Sequence, residues 1–94
     1  MERKILKIEL EKQIEILEIL NKQLDSILSN NPWEIHNGKI VFKDWGVHKL
    51  YKDTIKLYIM YSNTLGELEQ LCRDKKYLDI LRDIAMLKFE KGII

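Results

Sequence analysis

Trp33-Glu34-Ile35-His36-Asn37-Gly38-Lys39-Ile40-Val41-Phe42 is the stretch that decides the fold. Asn37-Gly38 is the preferred dipeptide for a two-residue type I′ hairpin turn, where both central residues need positive φ. Reading outward from it pairs His36 with Lys39, Ile35 with Ile40, Glu34 with Val41 and Trp33 with Phe42. Side chains alternate along a strand, so Trp33, Ile35, Ile40 and Phe42 share one face. An isolated two-stranded hairpin is marginal in water, so that face is expected to lie on a helix or a partner.

Helices flank the hairpin. Over residues 2–28, Leu6, Leu10, Ile14, Leu17, Leu20, Leu24 and Ile27 recur at three- and four-residue steps and fall on one helical face. Ile5, Ile16 and Ile19 widen the stripe, which calls for more than one neighbour, and Glu18 and Lys22 form an i,i+4 pair on the outer side. Asn30-Asn31-Pro32 stops this helix, because proline disfavours a helical residue before it. Asp44 is the expected N-cap of a second helix over 45–71, with Val47, Leu50, Thr54, Leu57, Tyr61, Leu65, Leu68 and Leu71 inward. Gly66 interrupts it at a cost of about 1 kcal/mol. A break near Arg73-Asp74 leads to a third helix over 75–90, with Tyr77, Ile80, Leu81, Ile84 and Leu87 inward and Gly92 as its C-terminal cap. The expected fold is all-α with a small β-hairpin: two long antiparallel helices joined by the hairpin, plus a shorter C-terminal helix. Residues 1–94 form one domain, with no repeat and no linker long enough to divide it.

Composition narrows the class. With 46% hydrophobic and 33% charged residues the chain reads as folded rather than disordered. The longest apolar run, Leu57 to Tyr61, is far short of the ~20 residues that span a bilayer, so no membrane partner is expected. Met1-Glu2-Arg3-Lys4 opens on charged amphipathic sequence and no signal peptide is expected; Cys72 is alone, so a cytoplasmic setting follows. Isoleucine and lysine greatly outnumber alanine and arginine, a skew typical of AT-rich coding sequence in a bacterium or its phage.

Catalytic chemistry finds few groups. His36 and His48 are the only imidazoles and Cys72 the only thiol. Cys-x-x-Cys, His-Glu-x-x-His and glycine-rich phosphate loops are all missing, so no enzyme, cofactor or metal site is expected. Glu11 with Glu15 and Asp79 with Asp83 are spaced i,i+4 and read as solvated helix faces.

Length and charge say more. A helix of about 27 residues spans roughly 40 Å, whereas a compact globule of this size is nearer ~32 Å across. The third helix cannot cover both long ones, which leaves apolar surface for self-association; Leu10, Ile14, Leu17, Asn21 and Leu24 are the expected interface. Asn21 is placed either to fix register between helices or at an exposed edge. The net charge is only +1, yet residues 39–58 carry Lys39, Lys43, Lys49, Lys52 and Lys56 against Asp44 and Asp53, interleaved with Phe42, Trp45, Tyr51 and Tyr58. Lysines beside aromatics at a helix N-terminus suit phosphate contact. The plainer alternative is a solvated lysine stripe over core aromatics. Trp45, next to Gly46, is the residue packing explains least; His48 lies nearby.

The order helix, Asn37-Gly38 hairpin, then a helix entered through Lys43-Asp44-Trp45-Gly46-Val47-His48 and carrying Leu65-Gly66-Glu67-Leu68, resembles the small terminase subunits of tailed phages over residues 10–68. Asp44-Trp45-Gly46 stands where that family commonly has asparagine-proline, and the third helix is an addition. The resemblance implies an oligomeric DNA-packaging adaptor that binds viral DNA and regulates a separate large subunit bearing ATPase and nuclease activities. Two other readings stay open. One is a phage-encoded, anti-CRISPR-like inhibitor of a bacterial defence nuclease acting by stoichiometric binding; the other is a helical assembly or regulatory subunit.

Overall fold

A computed structural model describes residues 2–93 of the chain. The elements run α1 (Glu2–Ser29), β1 (Trp33–His36), β2 (Lys39–Phe42), α2 (Trp45–Asp74) and α3 (Leu78–Glu90). This is the expected all-α arrangement with a small antiparallel hairpin. The strands pair Trp33 with Phe42, Glu34 with Val41, Ile35 with Ile40 and His36 with Lys39, the register read from the turn dipeptide. Asn37 and Gly38 supply the turn with φ of +50° and +77°.

Each helix boundary has a local cause. α1 stops at Ser29 and the chain turns through Asn31 in the left-handed region, whose N–H donates to the Leu28 carbonyl at 3.2 Å. Asp44 is extended and its carboxylate accepts the Val47 N–H at 3.2 Å, an N-cap as expected. A Cβ on Gly46 would sit 3.0 Å from the Asp44 carboxylate oxygen, so glycine keeps room for the cap. α2 then runs through Gly66, past the expected end at Leu71, to Asp74. Lys75 to Tyr77 make the reversal, so α3 starts at Leu78 rather than at residue 75. The Tyr77 N–H donates to Cys72 O at 2.9 Å and the Lys76 N–H to Arg73 O at 3.0 Å, with Lys76 at φ +60°. That is a Schellman closure with lysine in the position glycine usually fills. Gly92 does the same for α3, and the residue after it, Ile93, drops into the core.

The main core joins all three helices at one end. Leu6, Leu10, Ile14 and Leu17 of α1 meet Leu65 and Cys72 of α2, Ile80 and Ile84 of α3, and Ile93. This corrects the self-association face: Leu10, Ile14 and Leu17 are 0%, 1% and 0% exposed within the single chain, with Asn21 and Leu24 half-buried. The stripe is buried by α2 and α3, and those three side chains have no surface left for a second copy. Ion pairs flank the same core, with Arg3 on Asp79, Lys7 on Asp83 at 3.7 Å and Lys91 on Glu18 at 3.3 Å. The paired acids of α3 therefore tie it to α1.

α3 covers only half of α1 and α2, as its length requires. The other half is a two-helix layer capped by the hairpin, and the molecule measures 56 × 20 × 20 Å. Leu20, Ile27 and Thr54 are buried there, and Gln23 Nε2 donates to Thr54 Oγ1 at 2.7 Å across the helix pair. The inward set of α2 is rotated from the expected one: Tyr58 and Cys72 pack in, while Leu50, Leu57 and Leu71 stay well exposed. Ile5, Ile8 and Ile19 on the outer side of α1, and Leu78, Met86 and Phe89 on that of α3, are also uncovered.

Candidate nucleic-acid interface

The hairpin and the first turns of α2 form an aromatic stack at the two-helix end. Phe42 lies flat on the His48 ring at 4.5 Å, and Trp33 packs edge-on against both Phe42 (5.0 Å) and Tyr51 (6.0 Å). Trp45 completes the group, edge-on to His48 at 5.3 Å, but it sits at the first turn of α2 where no element covers it. It is 75% exposed. The tip of the hairpin is equally bare: Ile35 and Ile40, a cross-strand pair, are 75% and 73% exposed. The apolar face expected to be covered is thus covered only at its base, by His48 and Tyr51.

Three- and four-residue steps along α2 place Lys49, Lys52 and Lys56 on its outer side. With Trp45, His48 and Asp53 they line one shallow groove of about 210 Å³. Five of the seven expected contact residues are therefore brought together. Lys43 is not among them. It lines a different, larger and mostly apolar groove of about 370 Å³ between the end of α1 and the start of α2, beside Ile27, Pro32, Val47 and Leu50. Lys39 stands apart as well, on the hairpin opposite His36.

Electrostatics set this end apart. Among the described residues, none of Lys39, Lys43, Lys49, Lys52 and Lys56 enters an ion pair, whereas at the three-helix end Arg3, Lys7, Lys75, Lys88 and Lys91 are paired and only Lys4 and Lys76 are not. Of the nearby acids, Asp44 is occupied as the helix cap and Glu34 is bound by His36 Nε2 at 2.7 Å. Asp53 alone faces the lysines of the groove.

The remaining reactive groups lie elsewhere. Cys72 is fully buried, and its thiol pKa is raised first by burial and then by the nearby Glu69 carboxylate. The Lys75 ammonium, hydrogen-bonded to Glu2 at 2.7 Å, is held above the usual lysine pKa by that bond. No group of three or more His, Cys, Asp or Glu side chains that could hold a metal occurs among the described residues, nor is any helix there long and apolar enough to cross a membrane.

Ile35 and Ile40 belong to the face expected to lie on a helix or a partner, and the helix reaches only the Trp33–Phe42 base, leaving both exposed. Strand length was the available signal: four residues give two side chains per strand on that face, and Trp33 and Phe42 already occupy the base. No protein-family model matches the chain, and neither a curated protein nor a solved structure matches it.

Proposed function

We propose that this protein is a non-catalytic helical adaptor, of the kind the small-terminase resemblance implies, whose hairpin end contacts the phosphate backbone of DNA. One observation carries the reading: Lys49, Lys52 and Lys56 share a groove with an exposed tryptophan, Lys39 and Lys43 lie on and beside the adjoining hairpin, and none of the five is in an ion pair among the described residues. Lysines at such a surface gain little from the protein and are free to displace counterions from a polyanion. Self-association of the adaptor falls to the uncovered isoleucines of α1 or the Leu78–Met86–Phe89 side of α3, since the Leu10–Leu17 stripe is consumed internally. Ultracentrifugation at micromolar concentration is then expected to give a species at least twice the 11.3 kDa chain mass.

Anisotropy of a labelled duplex against salt tests the DNA contact. With five phosphates engaged the log–log slope is about −4.5, so affinity falls about 500-fold between roughly 50 and 200 mM salt. The pair of substitutions Lys49→Glu and Lys52→Glu leaves three contacts, a slope near −2.7 and a fall of about 40-fold. Helical content stays the same, because both side chains are exposed. No binding at low salt overturns the reading.

The inhibitor reading has its own support in the bare Ile35, Ile40 and Trp45, which together resemble the aromatic and aliphatic anchors of a protein interface. It requires a salt-tolerant complex with a protein partner, weakened by ~2 kcal/mol or more in Trp45→Ala. A DNA contact without base chemistry needs no such anchor.

A further inference from the structure

The hairpin tip is the feature that backbone phosphate contact leaves unused. Ile35 and Ile40 face each other across the strands, three-quarters exposed, on a ribbon supported only at its Trp33–Phe42 base. A solvent-exposed pair of isoleucines on an unsupported ribbon contributes nothing to the core; the ribbon itself carries Lys39, and Lys43 follows its second strand, neither in an ion pair among the described residues. Two-stranded ribbons enter the major groove of B-DNA as it stands, and strands reach the narrower minor groove where binding deforms the duplex. Apolar side chains inserted between base steps from the minor groove unstack them and kink the duplex toward the major groove.

We propose that β1–β2 is a DNA-bending arm. The tip enters the minor groove, Ile35 and Ile40 wedge into a base step, and Lys39, Lys43 and Lys49 hold phosphates on the flanking backbone. The charge of the surroundings selects this occupant over an apolar protein groove: five lysines oppose Glu34, Asp44 and Asp53, and two of those acids are already bound within the chain. Pyrimidine–purine steps unstack most readily, so flexible TA and CA steps are the favoured sites. The arm rests on the DNA-contacting reading above and gives it a mode.

The test is energy transfer between dyes at the two ends of a duplex of about 30 base pairs, with affinity measured in parallel. The wild-type protein is expected to shorten the end-to-end distance, more for a duplex with a central TA step than for a rigid A-tract. The double variant Ile35→Ser, Ile40→Ser is expected to keep its helicity and its salt slope, to lose the shortening, and to bind at least about tenfold more weakly. Two results overturn the arm while leaving phosphate contact standing: wild-type binding without any shortening, or a double-serine variant that binds and bends DNA as the wild type does. The second of these assigns the isoleucine pair to a protein partner. Absence of DNA binding at low salt overturns the arm and the DNA reading together.

Discussion

Truncating Leu17 to alanine separates an intramolecular core from an intermolecular interface. The side chain is 0% exposed in one chain, surrounded by the cluster that includes Leu10, Ile14, Leu65 and Ile84. Removing it takes away three buried carbons and leaves a cavity that rigid neighbours fill only in part, a loss of about 3 kcal/mol within the usual range of 2–5. For a domain of this size each kcal/mol shifts the melting temperature by about 4–8 °C, so the expected fall is roughly 12–24 °C. Circular dichroism at several protein concentrations is the assay. If Leu17 serves the core of a single chain, the fall is the same at each concentration. If it serves a subunit interface, the variant dissociates, and the difference from wild type shrinks as concentration rises. A fall below about 5 °C, or a fall that depends on concentration, refutes the internal assignment. Leu17→Asp is a poorer probe, because a buried unpaired carboxylate unfolds the protein in either case.

Other substitutions test the local readings. Gly38→Val forces a β-branched residue to φ +77°, costs about 1–2 kcal/mol of hairpin stability, and is expected to speed amide exchange in residues 33–42 while the helices melt nearly as before. Lys76→Gly relieves a non-glycine residue at φ +60° and is expected to raise stability by about 0.5–1 kcal/mol; a lower melting temperature contradicts the Schellman assignment. Thr54→Val removes the acceptor of Gln23 Nε2 and costs about 1 kcal/mol, and adding Gln23→Leu restores most of it because neither partner is then left unpaired. An unchanged melt for Thr54→Val shows that the Gln23 bond contributes nothing in solution.

What the sequence disclosed follows from how local each signal is. Asn37-Gly38 admits one turn type, and a two-residue loop leaves one register, so every hairpin pair was legible. Asp44 and Gly92 are caps whose chemistry acts within four residues, and both were legible too. The overrun of α2 to Asp74 was not. The reversal uses Lys76 in a left-handed conformation, and no glycine or proline marks it. Periodicity identified the buried stripe of α1 correctly but is silent on what buries it; the answer depends on α3 folding back, held by Arg3–Asp79 and Lys7–Asp83 pairs that span more than seventy residues of chain. At the candidate site the exposure of Lys49, Lys52 and Lys56 was readable from helical spacing. The separation of Lys43 into another groove was not, because it depends on how the end of α1 packs beside the start of α2.

The two ends of the molecule differ in how much core they hold. Nine residues of the main cluster and most of the interhelical ion pairs lie where α3 covers α1 and α2. The hairpin end has only Leu20, Ile27, Thr54 and the aromatic stack to hold it, and leaves Ile35, Ile40 and Trp45 bare. Regions with few buried contacts open first, so the hairpin end is expected to be the lowest-stability unit of the fold. The proposed DNA-bending arm, which has to adjust to a deformed duplex, gains from that arrangement. Its base can shift on His48 and Tyr51 without disturbing the core, which begins more than two helical turns further along α2. The same argument says where destabilising changes are tolerable. Substitutions in the core are expected to reduce the amount of folded protein, whereas substitutions at the exposed Ile35, Ile40 or Trp45 are expected to leave folding intact and, on the proposed role, to act on binding.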